Sequence, residues 1–297
     1  MRFGGHETFT IRDGWLHKGL NLLQREPEKL VDEFSADWLG VGSNMAKAIR
    51  HWLIAAGLAR HEPGKRSKTT LLVPTELGNL IYTQDSNFTE LGTWWVLHAN
   101  LVNNKENAVS WDWFFNYFNH QKFDKSVCLD NACRYFQNNK TMPSINTLDR
   151  DLLCLLGSYA RKIPTEQNDD PEDARDCPLL DLGIMSYFRM TGTYQINYEV
   201  KNIPPEIFCY IISMTFGQTN QSGGSCNVTI QEAVTRPGGP GRICQLQSES
   251  LYEQAAKAEG IMQNQDIELV GLGGSRVIKF ANKQPLEWLE KYYSTTK

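Results

Sequence analysis

The sequence predicts a mainly α chain with small β-wings: winged helix-turn-helix units flanking a helical middle. Two observations carry that reading. Each end of the chain holds a glycine turn, an amphipathic helix and a hairpin, and the stretch between them is rich in aromatic, helix-patterned runs. Elements taken in order give five segments: a strand/helix segment over 1–36, a winged helix-turn-helix over 37–82, an aromatic-rich helical core over 83–165, a helical segment over 166–228, and a second winged-helix-like unit over 229–297.

RFGGHETFTI reads as a short strand or loop, followed by a helix through GWLHKGLNLLQRE with Trp15, Leu16, Leu20, Leu22 and Leu23 on its apolar face. ADWLGVG is a short helix ended by Gly40 or Gly42. Ser43 is placed to cap the next helix, in which Met45, Ile49, Trp52, Leu53 and Ala56 form an apolar stripe. Asn44, Lys47, Arg50 and His51 point elsewhere, and Gly57 ends the helix. LARHEPGKRSKTTLLVP is strand, basic turn, strand, with Pro63 and Gly64 at the tip; Thr75 caps one more short helix. Helix, turn, helix, basic hairpin is the outline of a winged helix-turn-helix. Further on, 93–102 and 111–119 are aromatic-rich helices, 144–161 is a helix capped by Ser144, and 166–176 is an acidic loop. PPEIFCYIISMTF is helical with proline in its first turn. The last unit ends in a strand, a glycine turn and a strand carrying Arg276 and Lys279.

Charge distribution narrows the function. Net charge is -4, so bulk attraction does not bring this molecule to a polyanion. Residues 40–82 nevertheless carry Lys47, Arg50, Arg60, Lys65, Arg66 and Lys68 against Glu62 and Glu76. A helix presenting Ser43, Asn44, Lys47 and Arg50 to a groove, with Lys65, Arg66 and Lys68 on a wing against phosphates, is the expected double-stranded DNA contact. Winged helices that only pack against protein carry the same hairpins as solvated surface. Arg236 and Arg242 bracket the glycines of RPGGPGR, where bare backbone N–H groups could receive a phosphate; a tight turn between elements reads equally well.

His6, Glu7, Arg12, Asp13 and His17 lie close together near the N-terminus. Glu7 and Asp13 are a candidate carboxylate pair for Mg2+ or Mn2+, with His6 for proton transfer and Arg12 holding phosphate. The same cluster also reads as a salt-bridged joint. No Walker A, HExxH or GxSxG motif occurs, and no nucleotide cofactor is expected. The seven cysteines include no CxxC pair, and no iron–sulfur cluster is expected. No run approaches the ~20 apolar residues of a membrane span, and the N-terminus has no apolar signal core, so a cytoplasmic protein with no membrane partner is expected.

In this order, FGGHETFTIRDGWLHKG, LGVGSNMAKAIRHWLIAAGL, TELGNLIY, WWVLHANL with WFFN, PPEIFCY and PGGPGR resemble the bacterial family called domain of unknown function 4007. The resemblance runs from about residue 3 to about residue 280, and its first two motifs are the most specific. It implies a DNA-binding component of a bacterial DNA phosphorothioation system used in antiphage defence, a system in which DNA nicking is described for a family member. It also implies partners in sulfur transfer: a cysteine desulfurase, a PAPS-reductase-like protein and an ATPase. It carries over no catalytic residue. A winged-helix transcriptional regulator, acting as a symmetric homodimer, and a non-enzymatic adaptor remain the alternatives.

Overall fold

A computed structural model describes residues 2–63, 70–163, 177–217, 224–262 and 266–296. Their fold is mainly α with small sheets, in two compact units: Met1–Phe114 with His120–Gln195, and Phe115–Asn119 with Ile196–Lys297.

In the first unit, helix α1 (Trp15–Arg25) follows Gly14, whose φ of 72° suits glycine, and buries Trp15, Leu16, Leu20 and Leu23. Helix α2 (Pro27–Val31) starts on a proline that needs no intrahelical N–H bond. Helix α3 (Ser35–Leu39) stops at Gly40, in the left-handed region. Helix α4 (Ser43–Ala55) buries Ala46, Ile49, Trp52 and Leu53. Two local expectations change here. Gly42 is the capping position and Ser43 is already helical, with no side-chain cap. His51, expected on the polar face, is buried. Strands β1 (Ala59–Pro63) and β2 (Thr70–Pro74) pair antiparallel from Ala59↔Pro74 to Pro63↔Thr70. The turn bearing Lys65, Arg66 and Lys68 lies outside the described residues. Helix α5 (Glu76–Gln84) is capped by Thr75, whose hydroxyl accepts from the Gly78 N–H at 3.0 Å. A Cβ on Gly78 would stand 2.2 Å from the Leu58 carbonyl oxygen, so the helix seats against that backbone only with glycine there.

The aromatic-rich stretch forms α6 (Leu91–Asn103) and α7 (Val109–Tyr117), followed by α8 (Lys125–Asn138) and α9 (Ile145–Tyr159). Asp124 and Ser144 cap the latter two helices through the N–H groups of Val127 and Thr147. Trp52, Trp95, Trp111, Trp113 and Tyr159 are almost wholly buried in this unit. The middle is not purely helical. Strands β3 (Lys122–Asp124), β4 (Ala160–Ile163), β5 (Met185–Phe188) and β6 (Thr193–Ile196) form one sheet in the order β3-β6-β5-β4, with β4 and β5 parallel. A 3-10 turn at Pro178–Leu182 precedes β5. These strands are too short for an alternating pattern to declare itself.

In the second unit, α10 (Pro205–Phe216) buries Ile207, Phe208 and Ile211. Strand β7 (Ser225–Thr229) leads into α11 (Ile230–Thr235) through a capping box of Thr229 and Glu232. Then come α12 (Pro240–Ile243), α13 (Ser248–Ile261), the hairpin of β8 (Ile267–Leu272) and β9 (Ser275–Ala281), and α14 (Pro285–Thr296). The sheet order is β7-β9-β8, all antiparallel. Among the described residues, no helix is long and apolar enough to cross a membrane.

Candidate nucleic-acid interface

The loop of residues 4–9 is held in a conformation that sequence alone does not favour. Gly4, Glu7 and Thr8 all have left-handed φ values of 70°, 50° and 72°. Such backbone costs energy for non-glycine residues and persists where its surroundings enforce it. The enforcement comes from His6, which is 1% exposed. The Thr8 N–H donates to its Nδ1 at 3.0 Å, so Nε2 carries the proton and donates to Asp151 Oδ1, also at 3.0 Å. Asp151 accepts further from the Gly4 N–H at 2.7 Å and from Ser110 Oγ at 2.9 Å. Three donors thus satisfy a buried carboxylate. The His6 ring stacks on Trp52, with centroids 5.8 Å apart and planes at 17°, and the Trp52 indole donates to the Phe9 carbonyl at 3.1 Å. A Cβ on Gly5 would stand 2.4 Å from His51 Nδ1. The loop is therefore bolted to α4 on one side and α9 on the other.

Glu7 is what this bolting presents. It lines a cleft of about 330 Å³ together with Arg2, Lys47, Arg50, His51 and His61, over apolar walls from Val31, Ile54 and Leu72. Among the described residues, Glu7 is the only carboxylate in that lining. Burial lowers the Arg50 pKa, Arg2 lowers it further, and Asp32 opposes them. Arg50 donates to the Leu30 carbonyl at 3.1 Å, and Lys47 to Asn44 Oδ1 at 3.3 Å. Among the described residues, neither cation has a carboxylate within ion-pair distance. Burial, then His6 and Arg2, push His51 down to about 3, so it stands neutral at pH 7. The cleft's net charge is positive and unspent, which suits an anion.

The other expected site residues scatter. Arg12 is exposed, 5.6 Å from the centre of the Phe9 ring and 5.5 Å from that of Trp15. Asp13 is exposed in the turn before α1, and among the described residues no hydrogen bond or ion pair joins it to Glu7. Ser43 and Asn44 are exposed at the start of α4. In the second unit, Arg236 lies 4.9 Å from the Phe216 ring centre, and Arg242 donates to Asn119 Oδ1 at 2.7 Å. The Gly238 N–H goes to Asn116 Oδ1 at 2.7 Å and the Gly239 N–H to the Arg236 carbonyl at 2.9 Å. A Cβ on Gly241 would stand 2.4 Å from Val234 Cα, so this glycine allows α12 to approach α11. Sequence reasoning finds neither Arg2 nor His61 as a site residue. His61 lies in the basic hairpin, where charge could have pointed to it, whereas nothing local marks Arg2.

Residues 3–293 match the family described as Protein of unknown function (DUF4007), and the chain belongs to that family. Two solved structures resemble it at 26% identity, each covering 98% of this chain and 88% of the other. One is titled "Magnesium ion-bound SspB crystal structure", with a TM-score of 0.84, and the other "SspB crystal structure", with a TM-score of 0.83. No curated protein matches.

Proposed function

We propose that this member of the DUF4007 family is a DNA-binding component of a bacterial DNA phosphorothioation system, holding duplex phosphates in the cleft between its N-terminal loop and α4. The observation that carries the reading is the meeting of Arg2, Lys47 and Arg50 in one cleft, with no ion pair to a carboxylate among the described residues. The likeness to SspB over nearly the whole chain supports it. On this reading residues 37–82 are a winged helix-turn-helix, α4 is the groove helix, and the turn with Lys65, Arg66 and Lys68 is its wing. The cysteine desulfurase, PAPS-reductase-like protein and ATPase implied by the family resemblance supply the sulfur chemistry.

A second reading, strand nicking, rests on Glu7, a carboxylate held in strained backbone among cations. Glu7 takes a proton from water, the water oxygen bonds to phosphorus, and one phosphorus–oxygen ester bond breaks. The leaving oxygen takes a proton from solvent. A magnesium-bound relative raises the question of a metal. Magnesium usually takes one or two carboxylates together with substrate phosphates. Glu7 stands alone among three cations, and among the described residues no three His, Cys, Asp or Glu side chains converge. Without substrate phosphates, one carboxylate beside Arg2, Lys47 and Arg50 leaves the cleft net positive, which does not fit a resident dication.

The test is supercoiled plasmid with purified protein, in Mg2+, Mn2+ or EDTA, beside Lys47→Ala/Arg50→Ala, the wing triple Lys65→Ala/Lys68→Ala/Arg66→Ala, and Glu7→Gln. Retardation that the cleft double variant loses supports the binding role. Open circles lost in Glu7→Gln add the nicking role. Sequence-specific binding as a symmetric dimer on a pseudo-palindrome would mark a regulator, and absence of retardation an adaptor.

A further inference from the structure

Beside the cleft lies a surface of opposite character. Val31, Phe34 and Trp38 are 38%, 57% and 52% exposed, although all are large apolar side chains. They sit at the end of α2, at the residue before α3, and within α3; α2 and α3 pack on one another, and α3 packs on α4. The fold does not use this face: α3 buries Ser35 and Leu39 instead. Exposed Glu28, Glu33 and Asp37 flank these three side chains along the chain. Lys29, the cation beside Trp38, is already engaged, since it pairs with Glu26 and lies 3.8 Å from the Trp38 ring centre; the cleft cations Arg2, Lys47 and Arg50 lie on the Val31 side. Exposed large apolar side chains flanked by charged residues mark recognition surfaces, and Trp is among the residue types that most often dominate them.

We infer that Val31, Phe34 and Trp38 form a docking surface for a protein segment that presents Lys or Arg around an apolar core. The flanking carboxylates select the occupant. They repel a phosphate backbone, which rules against an extension of the nucleic-acid cleft, and they complement a basic rim. Val31 also lines the cleft, so the docked segment lies next to whatever the cleft holds. The surface stands independently of the proposed DNA-binding role.

Two synthetic helical peptides of equal apolar content, one carrying Lys and Arg and one carrying Glu, test this against 15N-labelled full-length protein. The basic peptide is expected to shift the Trp38 indole resonance and the amides of α2 and α3, and the acidic peptide to leave them unmoved. Phe34→Ala/Trp38→Ala is expected to weaken the basic peptide about tenfold or more. Charge reversal by Glu33→Lys/Asp37→Lys leaves the aromatics in place and is expected to weaken it too. Equal binding of both peptides, binding that survives loss of both aromatics, or shifts confined to the cleft would overturn the proposal. So would a drop in plasmid retardation with Phe34→Ala/Trp38→Ala, which would assign the aromatics to DNA. Loss of retardation in Lys47→Ala/Arg50→Ala with peptide binding intact separates this surface from the cleft.

Discussion

The molecule carries two helix-and-hairpin regions, α4 with β1–β2 and α13 with β8–β9, and Lys47 and Arg50 in the first are placed differently from Arg276 and Lys279 in the second. In the second, Arg276 pairs with Glu249 at 3.1 Å and Lys279 with Glu268 at 2.9 Å; beyond β9, Lys283 and, in α14, Lys291 both hold Asp266. In the first, Lys47 donates to an amide oxygen and Arg50 to a carbonyl, and among the described residues neither has a carboxylate within ion-pair distance, although Arg60 of β1 lies 3.8 Å from Glu62. Both hairpins are basic when read as residue lists. What differs is whether a carboxylate lies within reach, and that is decided by register and packing. A cation already paired has little field left for a phosphate, whereas an unpaired one keeps its full charge for the polyanion and its condensed counterions.

The largest effect should come from attacking the unpaired side. Lys47→Ala/Arg50→Ala is expected to weaken duplex binding by at least ~10-fold and to lower the salt slope by about 2, roughly 0.9 for each phosphate that is no longer neutralised. Arg276→Ala/Lys279→Ala is expected to change affinity less than about twofold, because those charges are spent inside the chain. Titrations at several salt concentrations check both. Equal losses from the two double variants would erase the contrast.

Next in size is the bolt behind the cleft. Asp151→Ala leaves the His6 Nε2–H, the Ser110 hydroxyl and the Gly4 N–H without their acceptor, and each buried donor so orphaned costs about 1–3 kcal/mol. Urea unfolding should show that loss directly. A loss below about 1 kcal/mol would mean that the loop stands without its anchor.

How much of this is legible in the sequence differs by element. Helix α1, the caps at Thr75 and Ser144, and the β1–β2 hairpin follow from apolar spacing and turn chemistry. The β3–β6 sheet does not, because strands of so few residues leave no period, and β4 continues directly from α9 at Ala160. At the site, residue type alone picks out Glu7, Lys47 and Arg50, and they do line one cleft. Asp13 is not among the residues that line the cleft with Glu7, and among the described residues no hydrogen bond or ion pair joins the two. The partner of His6 is Asp151, far away in sequence, and no local pattern announces it.

His51 offers a sharper probe of how far the cleft is desolvated. Its ordinary value is 6.5, and burial, His6 and Arg2 hold it near 3 in the folded chain. Below pH 6.5 the unfolded chain therefore takes a proton that the folded chain refuses. This stability is present above 6.5 and lost as pH falls toward 3. His51→Gln should flatten the fall of the urea midpoint across that window, and an unchanged profile would mean that the imidazole is solvated.

The smallest expected effect tests the cause of the contrast. Arg276 and Glu249 are both more than half exposed, so Glu249→Ala alone should alter stability by no more than ~1 kcal/mol. Combined with Glu268→Ala it leaves Arg276 and Lys279 with no partner carboxylate of their own. If pairing is what silences the second hairpin, the double variant gains duplex affinity by a few-fold and its salt slope steepens, while Lys47→Ala/Arg50→Ala in the same background recovers part of its lost binding. If the slope stays fixed, the hairpin is turned away from DNA by shape, and charge pairing is a consequence of that placement.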